Sequence, residues 1–246
     1  MIFYFSATGN SRHAAKRVAE TTDNRTISIT DCLKNGRYDF TAEKAETVGF
    51  IFPVYNFGLP VTVTDFIRRL NLNCNESYVF TLVTYGGFSG GASKIIKNLL
   101  KSKGIKVSAQ FSVRMPDTWT PIYDLSDKEK VAETNRKADV KISRISSQIR
   151  KKSKGNFDSR KIPFGDKFCG GYDEMRKTST LSVSEKCIGC GLCANQCPVD
   201  AIEVQNGKPA WVKEKCAICL GCLHRCPQFA IQRGSKTTLH GQYVHK

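Results

Sequence analysis

The sequence carries one cysteine motif twice, as Cys187-Ile-Gly-Cys190-Gly-Leu-Cys193-Ala-Asn-Gln-Cys197-Pro198 and as Cys216-Ala-Ile-Cys219-Leu-Gly-Cys222-Leu-His-Arg-Cys226-Pro227. In each copy, three cysteines are separated by two residues each, and a fourth cysteine precedes a proline. Three thiolates at this spacing can curl around one face of an iron–sulfur cube, whereas the local loop cannot easily place the fourth there. We therefore expect the fourth ligand of each cluster to come from the other copy.

The motif thus predicts two [4Fe–4S] clusters with crossed ligands. One would be held by Cys187, Cys190, Cys193 and Cys226, and the other by Cys216, Cys219, Cys222 and Cys197. A pair of zinc sites is the alternative for eight cysteines, but paired CxxC knuckles would require neither the third cysteine nor the following proline. The remaining cysteines are expected to be small buried hydrophobes; they are Cys32, Cys74 and Cys169.

Residues 186–234 resemble the bacterial-type two-[4Fe–4S] ferredoxins at every ligand position. The resemblance implies a small, pseudo-symmetric α+β fold in which each half pairs a hairpin with a short helix. The candidate hairpin strands are 202–204 and 210–212, and the helices are expected to begin at 199–201 and 228–230.

The first 150 residues alternate short apolar runs with amphipathic stretches, which is typical of strand–helix repeats around a parallel sheet. The predicted strands are 2–5, 26–29, 48–52, 78–84 and 106–113. The predicted helices are 11–20, 61–70, 91–102 and 127–152. This region is therefore expected to form an α/β sandwich with a five-stranded sheet.

The loop Ser6-Ala7-Thr8-Gly9-Asn10-Ser11 runs from the first strand directly into a helix. Hydroxyl groups and backbone amides at the carboxyl end of a strand form a geometry that binds phosphate. The loop lacks the lysine of GxxxxGK[ST] and the pattern GxGxxG, so it is neither a nucleotide P-loop nor a dinucleotide loop. A flavin mononucleotide phosphate held by neutral groups fits instead; helix capping alone is the alternative.

Two later loops leave the same edge of the predicted sheet. They contain aromatic residues and glycines, which can stack on an isoalloxazine ring and bring backbone groups close to its polar edge. We favour Tyr55 and the Gly86–Gly87 turn as contacts, although aromatic residues in loops also serve packing alone. The candidate ring-binding residues are Pro53, Val54, Tyr55, Asn56, Phe57 and Gly58 in one loop, and Thr84, Tyr85, Gly86, Gly87 and Phe88 in the other.

With these loops, residues 1–150 resemble a flavodoxin-fold domain, whose family binds FMN through a first loop rich in Ser and Thr. The resemblance implies a doubly wound five-stranded parallel sheet, and it marks Ser6, Thr8, Gly9, Asn10 and Ser11 for the phosphate. The usual T-x-T-G-x-T is S-A-T-G-N-S here. In domain order and length, the whole chain resembles the flavodoxin–ferredoxin fusion proteins of anaerobic bacteria and archaea.

We accordingly expect an FMN domain at 1–150, a basic connector at 151–180, and a two-cluster domain with a polar tail at 181–246. The connector contains too many apolar residues for a solvated linker, so it should pack against one of the domains. The four histidines are expected to be exposed to solvent; they are His13, His224, His240 and His245.

The formal net charge of +16 favours an acidic redox partner such as a ferredoxin, a flavodoxin or an oxidoreductase. Charge alone would also suit nucleic acid or an anionic membrane, but no motif supports either. No apolar stretch approaches the roughly 20 residues that cross a bilayer, and no export signal is readable, so we expect a soluble cytoplasmic protein. The oligomeric state stays open, and a homodimer is possible.

Two functions remain in consideration. The first is an electron-transfer protein that couples the two-electron chemistry of FMN to single-electron transfer through two [4Fe–4S] clusters. The second is a flavin-dependent reductase of a small organic substrate, for which loop 115–123 after the fifth strand could shape a pocket. No hydrolytic motif is readable, so we expect the cofactors to supply the chemistry.

Overall fold

The computed structural model describes residues 1–158 and 170–245. The strands are β1 Ile2–Tyr4, β2 Thr26–Ser28, β3 Asp39–Thr41, β4 Thr47–Pro53, β5 Asn71–Asn73, β6 Tyr78–Tyr85, β7 Ala109–Arg114, β8 Gly155–Asn156, β9 Leu181–Val183, β10 Ile202–Gln205, β11 Lys208–Trp211 and β12 Ile231–Arg233. The helices are α1 Asn10–Thr22, α2 Ile29–Lys34, α3 Val61–Arg69, α4 Ala92–Ser102, α5 Lys128–Arg150, α6 Tyr172–Met175, α7 Leu192–Asn195, α8 Gly221–His224 and α9 Thr237–His240. Within the described ranges, no helix is both long and apolar enough to cross a membrane.

The main sheet has the strand order β2-β1-β4-β6-β7-β8, and all its strands are parallel. Its first five strands correspond to the five that were predicted. The sixth, β8, adds two residues beside β7 and was not expected, because Gly155 and Asn156 have no apolar periodicity. The predicted doubly wound fold is confirmed, with this short strand added at one edge.

Helices cover both faces of the sheet. On one face, Phe3 and Phe50 pack against Phe66 of α3, and α4 lies beside it. On the other face, Ile51 and Phe80 pack in one cluster with residues of α1 and α5. Every residue of β6 is buried, as expected for a central strand of a parallel sheet that is covered on both sides.

The strand order reverses direction between β1 and β4. In an open α/β sheet, ligands bind at such a switch point, outside the carboxyl ends of the strands. The loops after β1, β4, β6 and β7 all leave from this edge, so the topology brings the predicted phosphate loop and both predicted ring loops together.

The second module is built from two antiparallel strand pairs, β10 with β11 and β9 with β12. The predicted hairpin at 202–204 and 210–212 is present as β10 and β11. The helices are not where they were expected: α7 and α8 lie inside the cysteine runs, whereas residues 199–201 and 228–230 form turns or have no regular structure. Three CxxC-spaced cysteines in each run already require a curled backbone, and the short helix continues that curl.

The two described ends of the region predicted to be a connector pack on different modules: residues 151–158 contact the first, and residues 170–180 contact the second through Tyr172 and Arg176. Phe157 stacks on Phe111 of β7, with ring centroids 5.1 Å apart. The Asp158 carboxylate accepts hydrogen bonds from the hydroxyl groups of Ser89 and Ser93, each at 2.7 Å. Of the remaining cysteines, Cys32 is buried as expected and Cys74 is half-buried, while Cys169 lies outside the described residues.

Candidate functional site

Four loops at the carboxyl edge of the sheet surround a cavity of about 360 Å³, which we call the edge cavity. It is lined by Asn10 after β1, residues 53–57 at the end of β4 and beyond it, residues 84–88 at the end of β6 and beyond it, and residues 116–119, 122 and 123 after β7. Residues 218–220 close its remaining side. They belong to the second module, which contains β9 to β12 and which we call the iron–sulfur module after its predicted clusters. All the residues predicted to bind a flavin ring, except Gly58, therefore line one cavity together with residues of the second module.

The predicted phosphate loop, residues 6–11, is held against its neighbours by two of its own side chains. The hydroxyl oxygens of Ser11 and Thr84 lie 2.8 Å apart, and the amide of Asn10 donates to the carbonyl oxygen of Pro116 at 3.0 Å. Helix α1 begins at Asn10, so its first N–H groups lack acceptors within the helix and can bind an anionic group. Of the five residues predicted for the phosphate, Asn10 lines the edge cavity.

The C-terminal tail, residues 241–245, lies across the phosphate loop. The backbone N–H of His245 donates to the carbonyl oxygen of Thr8 at 2.8 Å, and its ring stacks on His13 with centroids 4.0 Å apart. A Cβ on Gly9, whose φ is 99°, would lie 2.6 Å from the carbonyl oxygen of His245. The tail was predicted only to be polar, so its packing on this loop could not be read from the sequence.

A tight turn after β4 places two side chains at the edge cavity. The backbones of Tyr55 and Gly58 exchange hydrogen bonds of 3.1 and 2.9 Å, and Asn56 and Phe57 between them have φ values of 43° and 63°. A bulky residue in the left-handed region is uncommon and persists where its surroundings hold it. The Phe57 side chain is 38% exposed, so the turn presents an aromatic group at the cavity mouth.

Tyr55 and Tyr172 join the two modules beside the edge cavity. Their ring centroids lie 6.3 Å apart, and burial raises the pKa of Tyr55 well above its ordinary value. The Tyr172 hydroxyl donates to the carbonyl oxygen of Ala217 at 2.9 Å and accepts from the backbone N–H of Val61 at 3.3 Å. Cys219 packs against the core of the first module at this point. A predicted cluster ligand thus lies at the wall of the edge cavity.

The loop after β7 contributes a carboxyl group to the edge cavity. The Asp117 carboxylate accepts from the backbone N–H of Trp119 at 3.0 Å. Burial raises the pKa of Asp117, although the Trp119 hydrogen bond and the charge of Arg114 act in the opposite direction. The prediction that loop 115–123 lies at this edge agrees with the structure, but no motif singled out Asp117.

His224 is buried, so the prediction that it is exposed is wrong. Its Nε2 lies 2.8 Å from the carbonyl oxygen of Thr118, and its Nδ1 accepts from the backbone N–H of Tyr243 at 3.3 Å. This pattern assigns the neutral tautomer with the proton on Nε2. The ring fixes the iron–sulfur module to loop 115–123 and to the C-terminal tail. The other three histidines are half-buried.

The eight motif cysteines surround two small cavities in the iron–sulfur module. Cys197, Cys216, Cys219 and Cys222 line one of them, which we call the inner set. Cys187, Cys190, Cys193 and Cys226 line the other, which we call the outer set, and Cys193 also borders the first cavity. The fold therefore brings together the crossed groups that the spacing predicts, and the assignment of ligands stays a prediction.

The inner set fits a group that carries its own positive charge. Burial, with a smaller effect of the neighbouring Cys197 and Cys216, raises the pKa of Cys219 to about 12. Thiolates in such a place need a metal to stabilise them. Backbone N–H groups point at the sulfurs of Cys197 and Cys216, each at 3.2 Å, as in iron–sulfur sites. Among the described residues, no three His, Cys, Asp or Glu side chains are placed to hold a single metal ion.

Both modules match known protein families. Residues 1–142 match the flavodoxin domain, and residues 183–203 match the 4Fe-4S binding domain. Ferredoxin-2 of Desulfomicrobium norvegicum is 57% identical over 30 residues, which are 12% of this chain and 51% of that protein. The chain thus matches about half the length of this curated relative.

Solved structures with a similar fold include two redox proteins. A rubredoxin oxygen:oxidoreductase from the anaerobe Desulfovibrio gigas is 15% identical, with 59% of this chain and 36% of that chain covered and a TM-score of 0.35. A flavodoxin from Streptococcus pneumoniae is 18% identical, with 57% of this chain and 97% of that chain covered and a TM-score of 0.36.

The two family matches identify the chain as a flavodoxin–ferredoxin fusion. The flavodoxin domain implies FMN, and the 4Fe-4S domain implies a [4Fe–4S] cluster. These domains support an iron–sulfur flavoprotein that takes part in electron transfer. Because the flavodoxin match spans more than half of the sequence, this chain belongs to the flavodoxin domain family.

Proposed function

We propose that this member of the flavodoxin domain family transfers electrons between an FMN in the edge cavity and an external redox partner through two [4Fe–4S] clusters. FMN can exchange two electrons together or one at a time, whereas each cluster exchanges one. The chain would therefore convert between paired and single electrons.

The observation that carries the proposal is the shared wall of the edge cavity. Cys219, with Ile218 and Leu220 beside it, lines the same cavity as Tyr55 and the Gly86–Gly87 turn. A cluster held by the inner set would consequently lie next to a flavin held by the loops of the sheet. No movement of one module relative to the other is needed to bring the two groups together.

The outer set lies on the side that meets solvent. Cys190 is exposed, and the Ile188 side chain beside it is 64% exposed, whereas Cys197 and Cys216 of the inner set are buried. We infer the order external partner, outer set, inner set, flavin, in either direction of electron flow. The charge of +16 favours a partner with an acidic surface, such as a ferredoxin, a flavodoxin or an oxidoreductase.

Anaerobic purification with counts of iron, sulfide and released flavin tests this proposal. Two clusters and one flavin predict about 8 iron atoms, about 8 sulfides and about one FMN per chain. Zinc in place of iron, or a chain without flavin, would contradict it. The rate at which a ferredoxin or a flavodoxin reduces this protein should then fall at high salt, because salt screens the attraction between the charged surfaces.

Loop 115–123 supports a second candidate, a flavin-dependent reductase of a small organic substrate. Asp117, Trp119, Ile122 and Tyr123 of this loop line the edge cavity, so a carboxyl group and aromatic side chains face the place where a substrate would bind. Steady reduction of a small quinone or nitroarene by the reduced protein, far faster than by free FMN, would favour the reductase. Exchange only with redox proteins would favour the carrier.

A further inference from the structure

Arg225 extends from the iron–sulfur module to the phosphate loop of the flavodoxin module. Its Nε donates a hydrogen bond to the carbonyl oxygen of Ala7 at 2.6 Å, and its Nη1 donates to the side-chain oxygen of Gln196 at 3.2 Å. The backbone around Gly221 lies against Ala7 at the same point. A guanidinium group of one module is thus fixed at the loop predicted to bind phosphate in the other.

No carboxylate balances this charge in the part of the chain that the structure describes. Neither Arg225 nor the neighbouring Arg12 takes part in an ion pair there. The positive charge of Arg12 lies close enough to act on Arg225, as does the sulfur of Cys219. A partly buried cation beside a second cation is costly unless an anion accompanies it.

The phosphate loop itself provides no charged group. Its side chains from Ser6 to Ser11 are neutral, and Asn10 and Ser11 are engaged with Pro116 and Thr84. The amino terminus of α1 contributes only partial positive charge, whereas FMN ends in a phosphate that carries nearly two negative charges. Arg225 and Arg12 therefore bring full positive charge to this loop, and neither has an acidic partner among the described residues.

We propose that Arg225 binds the phosphate of FMN, so that the iron–sulfur module completes the flavin site of the flavodoxin module. This inference rests on the proposed binding of FMN. The Ala7 hydrogen bond holds the guanidinium in place, and its remaining N–H groups can form charge-assisted hydrogen bonds to phosphate oxygens. The two modules would then depend on each other for flavin binding.

The test compares FMN with riboflavin, which has the same ring system and no phosphate. In Arg225→Met, the affinity for FMN is expected to fall about 10- to 100-fold, and that for riboflavin to change by less than about 3-fold. Quenching of flavin fluorescence on anaerobic, cluster-loaded protein measures both affinities. Arg225→Lys keeps the charge without the guanidinium fork, so its affinity for FMN should lie between those of the wild type and Arg225→Met.

Arg176→Met is the matched control. Arg176 Nε donates to a backbone carbonyl oxygen, that of Cys216, at 2.7 Å, but Arg176 forms an ion pair with Asp173 and not a hydrogen bond to the phosphate loop. In Arg176→Met, the ratio of the affinity for FMN to the affinity for riboflavin should equal that of the wild type. If Arg225→Met lost affinity for FMN and riboflavin equally, or lost no affinity for FMN, the role of Arg225 would be overturned. A wild type that binds neither flavin would instead refute the proposed function.

Discussion

The Tyr243 hydroxyl lies 2.8 Å from Oδ1 of Asn10 and 3.0 Å from Oδ1 of Asn135, so the C-terminal tail is tied to both the phosphate loop and α5. Asn10 is also bound to Pro116 through its amide nitrogen. One buried tyrosine therefore connects the end of the chain to two loops at the carboxyl edge of the sheet.

Tyr243→Phe is expected to lower the free energy of unfolding by about 1–3 kcal/mol, because the buried amide oxygen of Asn10 would lose its hydrogen-bond donor. Release of FMN should become faster, since Asn10 belongs to the phosphate loop. Thermal unfolding and flavin release, followed under anaerobic conditions, measure the two effects. Tyr38→Phe is the control: its hydroxyl accepts from Arg69 at an exposed position, so a change within about 0.5 kcal/mol is expected. Equal effects of the two substitutions would show that the tail contact contributes nothing specific.

Gly86 and Gly87 provide a matched pair at the edge cavity. A Cβ on Gly86 would lie 2.0 Å from Oδ2 of Asp117, whereas a Cβ on Gly87 would have its nearest neighbour, the Tyr123 hydroxyl, at 3.8 Å. We expect Gly86→Ala to displace loop 115–123 and to destabilise the protein by about 1–3 kcal/mol, and Gly87→Ala to have little effect. Flavin affinity and thermal unfolding of both variants measure this difference. Equal tolerance of both alanines would contradict the close approach of Asp117.

The sequence predicted those parts of the site whose residues are close together along the chain. The phosphate loop follows a strand directly, and each cysteine run carries its own spacing, so the chemistry of both could be recognised locally. Even the assignment of Cys197 and Cys226 to the cluster of the opposite run follows from the local sequence, because the loop within one run cannot easily place its fourth thiolate on its own cluster. The positions of the main strands along the chain likewise follow from the alternation of apolar runs, whereas their order in the sheet was implied only by the resemblance to the flavodoxin fold.

Contacts between distant segments could not be predicted. Arg225 meets Ala7, His224 meets Thr118, and Tyr243 meets Asn10, and in each case more than 100 positions separate the partners. Such pairs have no periodicity, because they depend on how the two modules pack together. For the same reason His224 was expected to be exposed, although α8 buries it against loop 115–123.

The crossed ligand sets can be tested with four cysteine variants. If the fourth ligand comes from the other run, Cys197→Ala should lose the same cluster as Cys219→Ala, and Cys226→Ala the same cluster as Cys190→Ala. Each variant should retain about 4 iron atoms per chain. Electron paramagnetic resonance of the reduced proteins identifies which cluster remains. A spectrum shared by Cys197→Ala and Cys190→Ala would mean that each run binds its own cluster.

The same variants test the order of electron transfer. Loss of the inner cluster should stop electrons from an external donor from reaching the flavin, while the outer cluster is still reduced. Loss of the outer cluster should slow reduction of both the inner cluster and the flavin. Rapid flavin reduction in Cys219→Ala would contradict the proposed position of the inner set between the flavin and the partner.

The raised pKa of Asp117 predicts that the stability of the protein depends on pH. Burial raises its pKa in the folded protein above the value of about 4 expected in the unfolded chain. The folded state therefore favours the neutral carboxyl group. Its contribution to stability is complete below pH of about 4 and is lost as the pH rises through the folded pKa. Asp117→Asn, which cannot ionise, should consequently be more stable than the wild type at pH 7, and the difference should shrink as the pH falls.

Asp124 is a control whose pKa shifts in the opposite direction: it lies at an exposed position, and the hydrogen bond from the backbone N–H of Ser126 lowers its pKa. Its carboxylate contributes stability above the unfolded pKa, and that contribution is lost as the pH falls. Asp124→Asn should therefore be no more stable than the wild type at neutral pH. Thermal unfolding of the three proteins between pH 5 and 8 measures these differences. A wild type more stable than Asp117→Asn at pH 7 would mean that the carboxylate is the form that the folded edge cavity favours, with Arg114 outweighing burial.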